Sequence, residues 1–273
     1  MIELLPAIAG AAVVGITLGL LGSGGSILCV PLLAYVVGRG DKQAIIESLA
    51  IVGLIALFGG VRRALAGEVA WRVAVVFAPA TMLGAWAGAF GAQWVPGPAQ
   101  LAGLAVLMLV SAVLMLRGSK ANAAEGKSES RARSPLVLGL AGVGVGIITG
   151  LVGVGGGFLI VPALVVFAAL GHRVAVGTSL MLIAINAGVG FVTYLATEPG
   201  VEVSATIVGI FAISGAAGTI VGQRIGTKLD QKMFKRVFAV FLVILGVVML
   251  AREGARIWRS ADAPQEHALL VRP

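Results

Sequence analysis

The sequence predicts an all-α integral membrane protein with about eight transmembrane helices in two homologous halves, with a broken or re-entrant first helix in each half. Three observations predict it: the composition, the placement of charge and an internal repeat. Of 273 residues, 59% are apolar and 12% are charged, whereas soluble domains are about half apolar and about a quarter charged. So little polar surface excludes a water-soluble enzyme.

The charged residues are confined to short stretches between apolar segments. A charge at the centre of a bilayer costs at least about 2.5 kcal/mol, so a multi-span protein requires this segregation. Glu47 is the charged residue that lies inside an apolar segment. The net charge of +8 needs no nucleic-acid partner, because membrane proteins carry Lys and Arg in their cytoplasmic loops.

The apolar segments give the predicted helices in order. They are 4–21, 26–38, 44–61, 73–91, 99–116, 136–152, 156–170, 174–195, 205–222 and 237–251. A full span needs about 20 apolar residues. The segments 26–38 and 156–170 are shorter, so we expect half-helices or re-entrant pieces joined to the helix before them.

The most polar stretch divides the chain. Residues 117–135 carry five basic and two acidic residues among Ser, Gly and Ala, which predicts a flexible cytoplasmic linker. We therefore expect a first transmembrane repeat at 1–116, this linker, a second transmembrane repeat at 136–252 and a polar tail at 253–273.

The two halves resemble each other. When residue n is placed on residue n+131, 11 of the 19 positions in 15–33 are identical to those in 146–164. The match includes the glycine pairs 22/153, 24/155 and 25/156 and the pair Pro31 and Pro162. Duplication with a break in corresponding helices is typical of secondary transporters.

The basic loops favour inverted halves over parallel ones. Loop 62–72 has three Arg, but its equivalent 196–204 has two Glu and no basic residue. Loop 92–98 is uncharged, but its equivalent 224–236 has five basic residues. The excess of basic residues therefore lies in the first of these two loops in one half and in the second of them in the other half. The Arg residues of the C-terminal tail oppose this assignment, so parallel halves remain the alternative.

The glycine clusters at 22–26 and 153–157 indicate an anion site. Glycine clusters break helices, and a break at membrane depth is tolerated only beside a cavity or packed protein. Each restarting helix presents bare N–H groups and a positive dipole end, which suit an anion. Small residues at such spacings also simply pack helices together, and that interpretation stays open. The candidate substrate-binding residues are Gly22, Ser23, Gly24, Gly25, Ser26, Gly153, Gly155, Gly156, Gly157, Ser48, Thr178, Ser179 and Asn186.

Two polar features allow two interpretations each. Glu47 either reaches the interface beside Arg39 and Lys42 or faces the cavity and couples a proton to anion movement. Thr178 and Asn186 are about two turns apart and share a helix face. They either line the cavity or hydrogen-bond neighbouring helices.

Three motifs resemble the sulfite exporter TauE/SafE family of bacterial permeases. They are Gly-x-Gly-Gly-Gly-Phe-Leu-x-Val-Pro at 153–162, Ala-Val-Gly-Thr-Ser-Leu at 175–180 and Arg-Arg-x3-Gly-Glu-Val-Ala-Trp-Arg at 62–72. The resemblance implies an inner-membrane exporter of sulfite, organosulfonates or related sulfur oxyanions. The first half departs from the pattern, with Ser26 in place of a third glycine and Ile46-Glu47 in place of Gly-Thr.

Other functions fit the residues less well. An intramembrane serine protease needs a histidine base at membrane depth, but the two histidines, His172 and His267, lie in a loop and in the tail. Neither a nucleotide motif nor a metal-ligand spacing is present, so we expect no cofactor and no metal. The expected partners are a small anion and the lipid bilayer, and homo-oligomerisation is left open. A non-transporting scaffold or assembly factor, or a channel or carrier for another small ion, is the alternative function.

Overall fold

All regular structure in the described residues is helical. The computed structural model describes residues 10–17, 24–121, 135–154, 157–168, 170–226 and 231–262. The helices in these ranges are α1 (10–17), α2 (24–36), α3 (Asp41–Leu65), α4 (Trp71–Gly91), α5 (Gly97–Ala121), α6 (Pro135–Val152), α7 (Gly157–Phe167), α8 (His172–Thr197), α9 (Ala205–Gly226) and α10 (Gln231–Asp262).

Five of these helices are long and apolar enough to cross a membrane. The candidate spans are Asp41–Leu65, Trp71–Trp94, Arg173–Thr197, Ala205–Gly222 and Arg236–Trp258. Shorter apolar helices cover Gly25–Val36, Gly97–Val113 and Leu136–Val152. α5 and α10 continue past the expected boundaries at residues 116 and 252, because Lys, Arg, Ala and Glu favour helix. Residues 122–134 of the expected linker and 263–273 of the tail lie outside the described residues.

The short segments 26–38 and 156–170 correspond to the short helices α2 and α7. α2 is irregular: a 3-10 turn at Gly24–Leu28 leads through Cys29–Pro31 into a π-helical turn at Leu32–Val36. Pro31 has no N–H to donate within the helix, and the N–H of Val37 donates to the carbonyl of Leu32 at 3.1 Å. Such wide turns recur at functional sites.

An antiparallel pair, α3 and α8, forms the centre of the bundle. A Cβ placed on Gly53 would lie 3.3 Å from Ala187, whereas one on Gly59 would lie 3.4 Å from Leu180. As residue numbers rise along α3, the numbers of the contacting residues fall along α8, so the two helices are antiparallel. Both helices are mostly buried, so the pair forms the core on which the shorter helices pack.

Two close crossings of backbone on backbone surround this core. At the first, a Cβ on Gly84 of α4 would meet the carbonyl of Val143 and the backbone of Gly146 in α6. At the second, a Cβ on Gly218 of α9 would lie 2.7 Å from the carbonyl of Ala12 in α1. Glycine is required at both crossings because the two backbones leave no room for a side chain between them.

The outer helices carry the exposed apolar surface. α5 packs along α10, and side chains such as Leu83 of α4 and Ile244 of α10 are 64% and 60% exposed. A soluble protein rarely exposes such a continuous apolar surface. These faces therefore suit contact with lipid.

Candidate functional site

The second glycine cluster interrupts the helical structure between α6, which ends at Val152, and α7, which begins at Gly157. Gly153 has a φ of +74°, a conformation that side-chain-bearing residues rarely adopt. A Cβ at this position would also overlap the side chain of Ile45 in α3. Gly153 is therefore required both by its backbone conformation and by the close approach of α3.

Two side chains satisfy the carbonyl groups that this break leaves at the end of α6. The hydroxyl of Tyr194 lies 3.1 Å from the carbonyl oxygens of both Gly150 and Leu151. The amide of Gln100 donates to the carbonyl of Leu151 at 3.0 Å and to the Tyr194 oxygen at 3.0 Å. The last carbonyls of a helix have no partner within it, so α5 and α8 stabilise the break from outside.

Ser48 connects α3 to the same break. Its hydroxyl lies 2.8 Å from the carbonyl oxygen of Ile45 and 3.3 Å from that of Gly153. Ser48 is 1% exposed. A predicted site residue of the first half therefore touches the glycine break of the second half.

The N-terminal ends of the two short helices are buried, and the two helices are in contact. α7 packs against Gly24–Leu28, the first part of α2, and Gly25, Ser26 and Gly157 are buried. The first N–H groups of a helix have no partner within it and carry its positive dipole end. Among the predicted site residues, Gly22, Ser23, Gly155 and Gly156 lie outside the described residues.

Asn186 is a buried polar residue of α8. It is 2% exposed, and neither its side-chain oxygen nor its nitrogen has a hydrogen-bond partner among the described residues. Ser179 lies two turns earlier on the same face of α8, and its hydroxyl donates to the carbonyl of Val176 at 2.8 Å. A buried amide without partners is costly unless a ligand or water satisfies it.

The structure gives Thr178 a different task. Its hydroxyl oxygen accepts the backbone N–H of Ala70 at 2.9 Å, at the connection between α3 and α4. Thr178 therefore holds a loop, and the structure does not bring it to the break with Ser48.

Glu47 lies in a buried ion pair. It is fully buried, and its carboxylate accepts two hydrogen bonds from Arg39, at 2.9 and 3.1 Å. The backbone N–H of Ser204 donates to the same carboxylate at 3.0 Å. Lys42 instead binds Glu198 at 2.7 Å.

The site residues predicted from the sequence do not include Gln100, Tyr194 or Ser204. Gln100 gave a usable signal, because it is a polar residue at the start of an apolar segment. Tyr194 is one of two tyrosines, and a buried tyrosine hydroxyl usually finds a hydrogen-bond partner. Ser204 acts through its backbone N–H, for which side-chain identity gives no signal.

The comparisons with known proteins agree with this architecture. Residues 7–249 match the family described as Sulfite exporter TauE/SafE. A "Probable membrane transporter protein" of Xylella fastidiosa (strain Temecula1) is 32% identical over 261 residues, which cover 94% of this chain and 96% of that protein. "Probable membrane transporter protein YdhB" of Bacillus subtilis is 25% identical, over 86% of this chain and 96% of that protein. No solved structure matches the chain at a significant level. The chain is a multi-pass membrane protein and belongs to the TauE/SafE sulfite exporter family of membrane transporters.

Proposed function

We propose that this protein is a secondary transporter that exports a small anion, either sulfite, an organosulfonate or a related sulfur oxyanion. The anion would bind where the glycine breaks of the two halves meet. Amide N–H groups and hydroxyls are the donors there, and they suit the oxygens of an oxyanion. Movement of one half or helix bundle against the other would expose the site to each side in turn.

Two observations support this proposal: the Ser48 hydroxyl lies 3.3 Å from the carbonyl oxygen of Gly153, and α7, which follows that break, packs on the first part of α2. The carbonyl side of the α6–α7 break is bonded by Tyr194 and Gln100. On the other side of the break, α7 begins at the buried Gly157 and packs on Gly24–Leu28. With the carbonyl groups occupied, the amides supply the site's polarity, and amides attract negative charge.

The glycine crossings support the proposed duplication. A Cβ on Gly84 would contact Val143, Gly146 and Ile147, whereas one on Gly218 would contact Ala12, Gly15 and Ile16. The three residues that Gly84 would contact lie 131 positions after the three that Gly218 would contact, which is the offset of the sequence repeat. The same contacts at equivalent positions are expected if both halves share one fold.

The helix directions support inverted halves. α3 and α8 occupy equivalent places in the two halves, and they run antiparallel. α3 and α9 run parallel, because the side chain of Ile55 lies beside Gly215 and a Cβ on Gly59 would lie 3.5 Å from Thr219. Loop 62–72 and the end of α9 therefore lie at the same end of the bundle, where the basic residues predict the cytoplasm.

The transporter belongs, in this proposal, to the bacterial inner membrane. Helical spans suit that membrane, whereas outer-membrane proteins are β-barrels. The proposed repeats at 1–116 and 136–252 would then be joined by a cytoplasmic linker at 117–135. The tail at 253–273 would follow on the opposite side.

Flux measurements test the proposal. Purified protein in proteoliposomes should move sulfite or a small sulfonate, and the assay should include sulfate and runs with and without a pH gradient. Ser48→Ala should reduce the flux roughly fivefold or more, as expected for loss of one hydrogen bond of about 1 kcal/mol. Ser111→Ala is the matched control, because Ser111 is also buried but donates to Leu107 within its own helix.

A scaffold would give a different result. If none of the three anions crosses the bilayer and none raises the melting temperature of the protein, the anion-transport proposal fails. Equal flux in the two serine variants would remove Ser48 from the site.

Glu47 is the proposed proton-coupling group. Glu47 and Glu253 are both fully buried, and each pairs with an arginine. If the proton moves through Glu47, Glu47→Gln should make anion flux insensitive to the pH gradient, while Glu253→Gln should retain the sensitivity. Retained sensitivity in Glu47→Gln would assign coupling elsewhere and leave Glu47 as a structural ion-pair partner.

A further inference from the structure

Two groups of charged and polar contacts lie at opposite ends of the α3–α8 pair. Because the helices are antiparallel, the start of each lies beside the end of the other. We name the first group the Lys42 latch; it comprises Arg39, Lys42, Glu47, Glu198 and Ser204. We name the second group the Glu68 latch; it comprises Arg63, Glu68, Ala70, Arg173 and Thr178.

The Lys42 latch ties the beginning of α3 to the connection between α8 and α9. Lys42 binds Glu198 at 2.7 Å, and Arg39 binds Glu47 at 2.9 Å. The N–H of Ser204, just before α9, donates to Glu47. This end of the bundle is therefore closed by contacts between segments that are distant in sequence.

The Glu68 latch makes the corresponding connection at the other end. The carboxylate of Glu68 binds both Arg63 and Arg173, the latter at 3.0 Å. The N–H of Ala70, just before α4, donates to Thr178 at 2.9 Å. The connection between α3 and α4 is thereby joined to the beginning of α8.

The proposed anion site lies between the two latches. Ser26, Ser48 and Asn186 are at most 2% exposed. Both groups of ion pairs are formed in this structure, which is the arrangement that an occluded state of the proposed site requires.

We propose that the Lys42 latch and the Glu68 latch are the two gates of the transporter and that they open in alternation. This inference rests on the proposed function, because it describes how its site is reached. The side chains of Lys42, Glu198, Arg63 and Glu68 are 19–22% exposed. These charges are partly exposed at the two ends of the α3–α8 pair, so they can separate without being buried unpaired in the apolar core.

The test follows the accessibility of a buried cysteine, independently of transport. Two single-cysteine proteins are made in a Cys29→Ala background. One carries Ser48→Cys as its reporter thiol, and the other carries Val154→Cys, at a position that is 1% exposed. A membrane-impermeant maleimide is applied to right-side-out and inside-out vesicles. Glu198→Gln opens the first latch, Glu68→Gln opens the second, and the exposed Glu202 gives the matched control Glu202→Gln.

We expect each latch variant to raise the labelling rate of the reporter at least fivefold from one face. The two variants should act from opposite faces. The charge exchange Lys42→Glu with Glu198→Lys should return labelling to the parental rate, which a merely unfolded protein would not do. Labelling that rises from the same face in both variants, or that equals the Glu202→Gln control in either, would overturn the inference.

The outcome separates this inference from the proposed function. Alternating labelling without flux of sulfite, sulfate or a sulfonate would retain the gates and reject the substrate. Flux without alternating labelling would retain the transporter and reject the gates.

Discussion

Asn186 combines deep burial with two polar atoms that lack partners among the described residues. Leaving such a group unsatisfied costs about 1–3 kcal/mol. A protein that needs this side chain only for packing would gain stability from an apolar replacement. A protein that needs it for a ligand would lose binding.

We predict that Asn186→Leu keeps or raises the melting temperature and lowers anion flux roughly fivefold or more, the equivalent of one hydrogen bond of about 1 kcal/mol. The melting temperature in detergent and the flux in proteoliposomes are both measured. Thr193→Val is the control on the same helix, because Thr193 donates to Val189 within α8 and its loss should leave flux intact. A kept or raised melting temperature with unchanged flux would assign Asn186 to packing.

At this scale the repeated motifs single out Ser48, Gly153 and Thr178 as candidate site residues, and their binding of an anion stays a prediction. The structure brings Ser48 and Gly153 together. It places the Thr178 hydroxyl at the connection between α3 and α4, where it accepts the N–H of Ala70. The difference lies in tertiary contacts that depend on how α8 rotates against its neighbours, and a one-dimensional pattern does not contain that rotation.

At the scale of the element, glycine has two separate roles, and some glycines have neither. Gly153 permits a positive φ, Gly146 permits a close crossing, and Gly144 on the same helix faces open space. The sequence predicts where the helices break, because glycine clusters and proline mark those positions. It does not distinguish the crossing glycines from the open ones, because that depends on which helix lies opposite.

Gly146→Ala and Gly144→Ala form a matched pair that tests this distinction. A Cβ on Gly146 would overlap the carbonyl of Thr81, whereas one on Gly144 would meet nothing within 4 Å. We expect Gly146→Ala to destabilise the protein by about 1–3 kcal/mol through overpacking. Gly144→Ala should be neutral or stabilise by up to about 1 kcal/mol. Thermal unfolding in detergent measures both, and equal effects would contradict the crossing.

At the scale of the whole molecule, topology is the property to test. Single cysteines in loop 62–72 and loop 224–236, each in the Cys29→Ala background, should both react with an impermeant maleimide from the cytoplasmic side. Inverted halves require this result, and residues in 198–204 serve as the control for the opposite side. Reaction of the two basic loops from different sides would exclude inversion.

The number of predicted spans agrees with the fold only approximately, for a physical reason. Hydropathy locates α3, α4, α8, α9 and α10 because each is long and apolar. The short helices α2 and α7 begin at buried positions within the protein, so their length carries no requirement for 20 residues. The tail arginines, which opposed inversion, are partly explained by Arg256, whose charge is paired with Asp41 and Glu253.

Two hydrogen bonds limit how similar in energy the inward-facing and outward-facing states can be. The N–H that precedes α9 is received by a carboxylate, Glu47, while the N–H that precedes α4 is received by a hydroxyl, Thr178. If the halves were identical, exchanging their conformations would leave the energy unchanged, and the carrier would rest equally inward and outward. A charged acceptor on one side and a neutral one on the other removes that equality, so we expect the empty carrier to have a preferred orientation.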